Sequence, residues 1–157
     1  MSQIIYNASM TQDQFEHLLN IPKTFEKDSP KLPVGGGKGT YALLSSESED
    51  KFYLDIHRNG TFEISKAKIQ NRTSKVLLVR IEINASPHIN PDGRRIGRNH
   101  IHLYRPGEIE SGSLPWAYEF DEIPSLSLPK ENVDFMSAFF ALCKYCNIEV
   151  SNLQGVI

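Results

Sequence analysis

The sequence predicts an α+β fold in a single domain. We expect an antiparallel sheet of five or six strands, a C-terminal helix packed on one face, and a short N-terminal helix. Three observations predict it. Apolar residues recur with period two between about residues 40 and 120. Residues from Glu131 to Asn147 carry apolar side chains at helical spacing. The 157 residues, 39% hydrophobic and 23% charged, match one globular domain with its own core.

Taken in order, 1–157 divides into a helix over 11–20, a flexible loop over 21–39, a sheet over 40–120 and a helix over 131–147. Thr11 and Gln14 form a capping-box pattern ahead of Phe15, Leu18 and Leu19. Prolines 22, 30 and 33 and glycines 35, 36, 37 and 39 then read as a loop tethering that helix. Tyr41 to Ser45 reads as a strand. In the next, Phe52, Leu54 and Ile56 alternate with Tyr53, Asp55 and His57. Asn59-Gly60 is a hairpin turn, because both residues tolerate positive φ. The return strand runs from Thr61 to about Gln70. Lys75 to Asn84 places Leu77, Val79, Ile81 and Ile83 on one face and Leu78, Arg80, Glu82 and Asn84 on the other. Ala85 to Asn99 is a long loop with a turn at Asn90-Pro91-Asp92-Gly93. His100 to Arg105 and Trp116 to Phe120 complete the sheet. In the last helix Phe135, Phe139, Leu142 and Cys146 form one apolar row, and Met136, Phe140 and Cys143 the next.

Several function classes are excluded or reduced. The net charge of −2 means any anion binding comes from a local patch. No secretory signal and no apolar stretch near the ~20 residues of a membrane span is present, so a cytoplasmic location and no membrane partner are expected. The run Gly35-Gly36-Gly37-Lys38-Gly39-Thr40 is not a phosphate loop. That pattern needs glycine where Leu32 sits and Ser or Thr where Gly39 sits. Cys143 and Cys146 lie near a helix C-terminus, where the dipole disfavours thiolate, and read as core thiols.

The residues that carry chemistry cluster late in the chain. In His100-Ile101-His102-Leu103-Tyr104, period two sends Ile101 and Leu103 to the core and His100, His102 and Tyr104 to the opposite face. A meander would bring Arg80 and Glu82 to that face. The preceding loop adds His88, Arg94, Arg95 and Arg98. Charge is segregated: five arginines against two acids from Arg80 to Arg105, then seven acids against one lysine from Pro106 to Asp134.

Ser86-Pro87-His88-Ile89-Asn90-Pro91-Asp92-Gly93, Gly97, the His100–Tyr104 strand and Trp116-Ala117-Tyr118 resemble an uncharacterised family of small bacterial and prophage proteins. In that family a Pro-His-x-Asn-Pro-Asp-Gly loop precedes a His-x-His-x-Tyr strand. The resemblance implies no activity, only a mobile-element or defence context.

Three readings follow, and whether the chain is an enzyme stays open among them. The first is cofactor-free acid–base chemistry on a nucleic-acid phosphodiester, as in a small ribonuclease. His100 and His102 would exchange protons, Glu82 would partner them and Tyr104 would position the phosphate. Arg80, Arg94, Arg95, Arg98 and His88 would bind it. The second is a metal-dependent hydrolase, with zinc or another divalent ion on His88, His100 and His102, or with His57 or Asp55 as third ligand. The third is a non-catalytic phage-type inhibitor or binding protein that docks a protein or nucleic acid on the polar face. The sequence leaves the oligomeric state open.

Overall fold

Helix α1 (Gln12–Asn20) starts where its capping box places it: Thr11 Oγ1 accepts from Gln14 N, and Gln14 Oε1 accepts from Thr11 N. The computed structural model describes residues 10–58, 65–71, 75–106 and 114–153. Their strands are β1 (Thr24–Phe25), β2 (Lys38–Leu44), β3 (Lys51–Arg58), β4 (Ser65–Asn71), β5 (Val76–Ile83), β6 (His88–Ile89), β7 (Arg95–Ile96), β8 (His100–Leu103) and β9 (Ala117–Glu119). Two 3-10 turns follow, and helix α2 (Phe135–Tyr145) comes last. The predicted Asn59-Gly60 turn lies outside the described residues, but β3 and β4 pair antiparallel on either side of it.

The main sheet is an antiparallel meander of seven strands in the order β1-β2-β3-β4-β5-β8-β9. The expected five or six strands grow to seven because β1 adds an edge pair, Phe25 opposite Leu43. β6 and β7 form a separate hairpin inserted between β5 and β8. Its turn is the predicted one. Gly93 N donates to Asn90 O, and Gly93 at φ 91° takes the left-handed position that closes the hairpin.

α2 covers one face of the sheet. Phe135, Ala138, Phe139, Leu142 and Cys143 are buried in a core shared with Phe52, Leu54, Ile56, Ile69, Ile81 and Ile101. The helix begins at Phe135 rather than Glu131, because the Asp134 side chain accepts from Ser137 N and caps it there. Burial raises the thiol pKa of Cys143 and Cys146, to about 12 for Cys146, so both are unreactive core groups.

Residues 21–39 are not a loose tether. Ile21, Lys23, Phe25 and Leu32 are buried. Lys23 N donates to Asn147 O, and Glu149 N donates to Lys23 O. The Lys23 ammonium donates to Leu19 O at 2.9 Å, Ile21 O at 3.0 Å and Cys146 O at 2.7 Å. Burial lowers its pKa to about 8, which still leaves it charged at neutral pH with all three N–H bonds used. The tail of α1 and the end of α2 are thereby clamped together.

A bulge changes the phase of β5. Ile69 pairs with Val79 but Gln70 pairs with Leu77, so Leu78 is the extra residue. Leu78 and Val79 are therefore both buried, and Leu77, expected in the core row, is only partly covered. Opposite the bulge Tyr104 N donates to Leu78 O, and the tyrosine ring turns into the core beside Phe15. Its hydroxyl accepts from Met10 N at 2.8 Å.

Candidate functional site

Cross-strand pairing lays two rungs across the outer face of the sheet, away from α2. One runs Thr40, Asp55, Lys68, Arg80, His102, Ala117. The other runs Lys38, His57, Lys66, Glu82, His100, Glu119. Period two on β3, β4, β5 and β8 puts all of these on one side. The two ends of the rungs differ in chemistry.

At the β8–β9 end the side chains hold loops. His100 and His102 reach the predicted face, but they are buried there at 1% exposure rather than lining an open surface. The β6–β7 hairpin and the segment around Leu114 cover them. His100 Nδ1 donates to Gly97 O and His102 Nδ1 to Leu114 O, both at 2.7 Å. His88 Nε2 donates to Pro115 O at 2.7 Å. Asn90 grips Ala117 on both sides, Nδ2 donating to its carbonyl at 3.0 Å and Oδ1 accepting from its N–H at 2.8 Å. Glu119 accepts from Gly97 N. Five polar side chains thus satisfy backbone groups that the irregular loops leave without ladder partners.

Glu82 sits among these rings. It accepts from Arg80 Nε at 2.6 Å and lies 3.3 Å from His102 Nε2 and 3.9 Å from His100 Nε2. Burial works to raise its carboxyl pKa. The polar contacts with His102 and Arg80, with the Arg80 charge, overcome that and bring it to about 2. Burial pushes both histidines down, against the pull of the Gly97 and Leu114 carbonyls and of Glu82. The His88 and His102 rings stand 4.7 Å apart, and those of His100 and His102 4.8 Å. The structure therefore brings Arg80, Glu82, His88, His100 and His102 together. It does not bring Tyr104, which the bulge sends to the core.

Nor does it bring the loop arginines. Arg94 pairs with Glu122 at 2.7 Å. Arg95 and Arg98 line a separate hollow with Lys130, where Glu119, Glu131 and Asp134 balance them. Asp92 accepts from Arg94 N within the turn. One arginine of the basic segment is thus paired with the acidic segment that follows it, and two more share a hollow with its carboxylates.

At the β2–β5 end lies an open cleft of about 630 Å³ lined by Lys38, Thr40, Asp55, His57, Lys66, Lys68 and Arg80. Lys38, His57, Lys66 and Lys68 are exposed and Arg80 is half-buried. Asp55 is the only carboxylate in this lining, and Thr40 Oγ1 donates to it at 2.6 Å. Among the described residues no carboxylate lies within ion-pair reach of Lys38, Lys66 or Lys68. Those three lysines are absent from the expected site. Their signal was the alternation Lys66-Ala67-Lys68-Ile69, which sends two lysines to the face opposite the core.

Among the described residues no helix is long and apolar enough to cross a membrane. No curated protein and no solved structure matches the chain significantly. A family of unknown function, DUF6978, matches residues 10–148. That span takes in the two described helices, the nine described strands and every residue of the two rungs, so the chain belongs to this family.

Proposed function

We propose that the chain binds nucleic acid through its phosphate backbone, across the outer face of β2 to β5. The observation that carries this is the cleft: Lys38, Lys66 and Lys68 converge there with Asp55 as the one carboxylate of the lining, beside Arg80, whose charge is paired with Glu82. Lys38, Lys66 and Lys68, which have no carboxylate partner among the described residues, are free to replace the counterions of a phosphate chain, and that release drives binding. Spacing supports it. Lys66 and Lys68 are two residues apart on one strand, about 7 Å, close to the separation of successive phosphates on an extended strand. The openness of the cleft suits a polymer rather than an enclosed metabolite.

Proton transfer by His100 and His102 is not part of this proposal. An acid–base group must reach the atom it protonates, and both rings are covered and tied at Nδ1. His57, in the cleft, is the one imidazole within reach of a bound phosphate. Any phosphodiester chemistry would use it, with Arg80 elsewhere in the same lining for the developing charge.

The test is a titration of labelled single-stranded RNA and DNA at two salt concentrations. Affinity should fall with salt, log K changing by about 0.7 per phosphate contact for each unit of log salt. Lys66→Ala with Lys68→Ala should flatten that slope by about two contacts. Arg94→Ala with Arg95→Ala should leave it unchanged, because the hairpin carries no part of the cleft. Folded protein that binds neither polymer at low salt would end the proposal.

A further inference from the structure

Glu82, His100 and His102 present three ligand atoms that all lie within 4.8 Å of one another, in a buried position. Their hydrogen bonds are arranged in an unusual way. Each histidine gives its Nδ1 proton to a backbone carbonyl, Gly97 O or Leu114 O. In that neutral tautomer Nε2 carries a lone pair. Both Nε2 atoms turn toward one carboxylate, at 3.3 Å and 3.9 Å. Arg80 keeps that carboxylate ionised. Where both rings are neutral, two lone pairs and an anion face one another around one dry spot, and a cation, either a proton on Nε2 or a metal ion, must stand between them. A carbonyl on the far nitrogen is also what orients an imidazole that ligates metal.

We propose that Glu82, His100 and His102 bind a single divalent transition-metal ion, of which zinc fits the donor set best. Two imidazoles and a carboxylate suit zinc far better than magnesium or calcium, which take oxygen ligands. The spacing agrees. Ligands about 2.0–2.1 Å from a tetrahedral zinc lie about 3.3–3.4 Å apart. The Glu82–His102 pair at 3.3 Å already matches, through the Oε2 that Arg80 also contacts. The Glu82–His100 pair at 3.9 Å must close by about half an ångström, and the three donor atoms, all within 4.8 Å of one another, must draw together onto the ion.

The set differs from the three histidines suggested by sequence. His88 gives its Nε2 proton to Pro115 O, and Glu82 takes its place. Arg80 opposes the ion's charge, but it occupies only Oε2 and leaves Oε1 facing His100. With both rings at 1% exposure the ion is closed to a polymer. Its work is structural. It ties β5 to β8 and, through Gly97 and Leu114, fastens the covering loops. This inference is independent of what the cleft binds.

The experiment uses the full chain stripped with chelator. Zinc is titrated in by calorimetry, and melting is followed with zinc and with magnesium. We expect one equivalent bound, a melting point raised by zinc and not by magnesium, and visible d–d bands with cobalt. His102→Gln and Glu82→Gln should each weaken zinc at least about 100-fold. The exposed His57 gives a control that keeps the fold, and His57→Ala should bind as wild type. Three outcomes overturn the proposal: folded wild type that takes up no zinc, His102→Gln that binds unchanged, or His57→Ala that abolishes binding. If the buried variants do not fold, the wild-type stoichiometry and the His57→Ala control still decide.

Discussion

Two charged regions share the outer face of one sheet and use their charges in opposite ways. Around the β6–β7 hairpin the buried polar groups and Arg94 have internal partners. Arg94 holds Glu122, Asn90 holds Ala117, and each buried histidine holds a backbone carbonyl. Across β2 to β5 the lysines face solvent with only Asp55 for company. The arginine-rich stretch looked like the binding segment because its charges are adjacent in sequence. The lysines are adjacent only across strands. Whether a charge is available to a ligand is decided by register, and sequence proximity is a poor guide to it.

The sharpest way to break this comparison is at Asn90. Asn90→Leu removes both hydrogen bonds to Ala117 and leaves a buried N–H and a buried C=O without partners. Each such group costs about 1–3 kcal/mol, so denaturant unfolding should show a loss of roughly 2–5 kcal/mol. A loss under about 0.5 kcal/mol would mean that the hairpin is not fastened as described.

A second test concerns the buried lysine on the other side of the sheet from the cleft. The buried Lys23 titrates near 8 in the folded chain against 10.5 as a free side chain. Between those values the unfolded chain binds more protons than the folded one, so stability rises with pH there. Below about pH 8 the full penalty of burying the ammonium is present. Wild type should therefore gain about 2–3 kcal/mol relative to Lys23→Met between pH 7.5 and 10.5. A flat difference for Lys23→Met would mean that its ammonium is hydrated.

The smallest effect is the most diagnostic for the cleft. Lys66→Ala and Lys68→Ala should each change stability by no more than about 0.5 kcal/mol, as surface substitutions do. A large loss at either would mean that the lysines serve the fold, and the cleft would lose its claim to a ligand.

Local signals in the sequence were reliable where the determinant is local. The Thr11–Gln14 box, the alternation of β3 and the Asn90–Gly93 turn each depend on neighbours within a few residues, and each appears as expected. What stayed hidden depends on distant partners. Ile21 to Leu32 reads as loop because of its prolines, yet its burial needs the end of α2. Tyr104 obeys period two in sequence, but a bulge on the neighbouring strand reverses its face. The five-residue cluster of Arg80, Glu82, His88, His100 and His102 was legible, because β5 and β8 pair simply. Its burial was not, because the covering loops belong to other segments. The lysine cleft needed the face of every residue on β4, and Lys66 and Lys68 carried that information.

The Lys23 clamp also has a consequence in time. Its ammonium and the carbonyl of Cys146 are 123 residues apart in the chain. At about 5–20 residues per second of synthesis, the 123 residues between them take roughly 6–25 s to appear. Throughout that interval Lys23 remains hydrated. The last described strand ends at Glu119 and Cys146 follows 27 residues later, so the complete meander has its core face open for about 1–5 s of synthesis before the helix that covers it is finished. Such a state is a natural client for a chaperone that holds apolar surfaces.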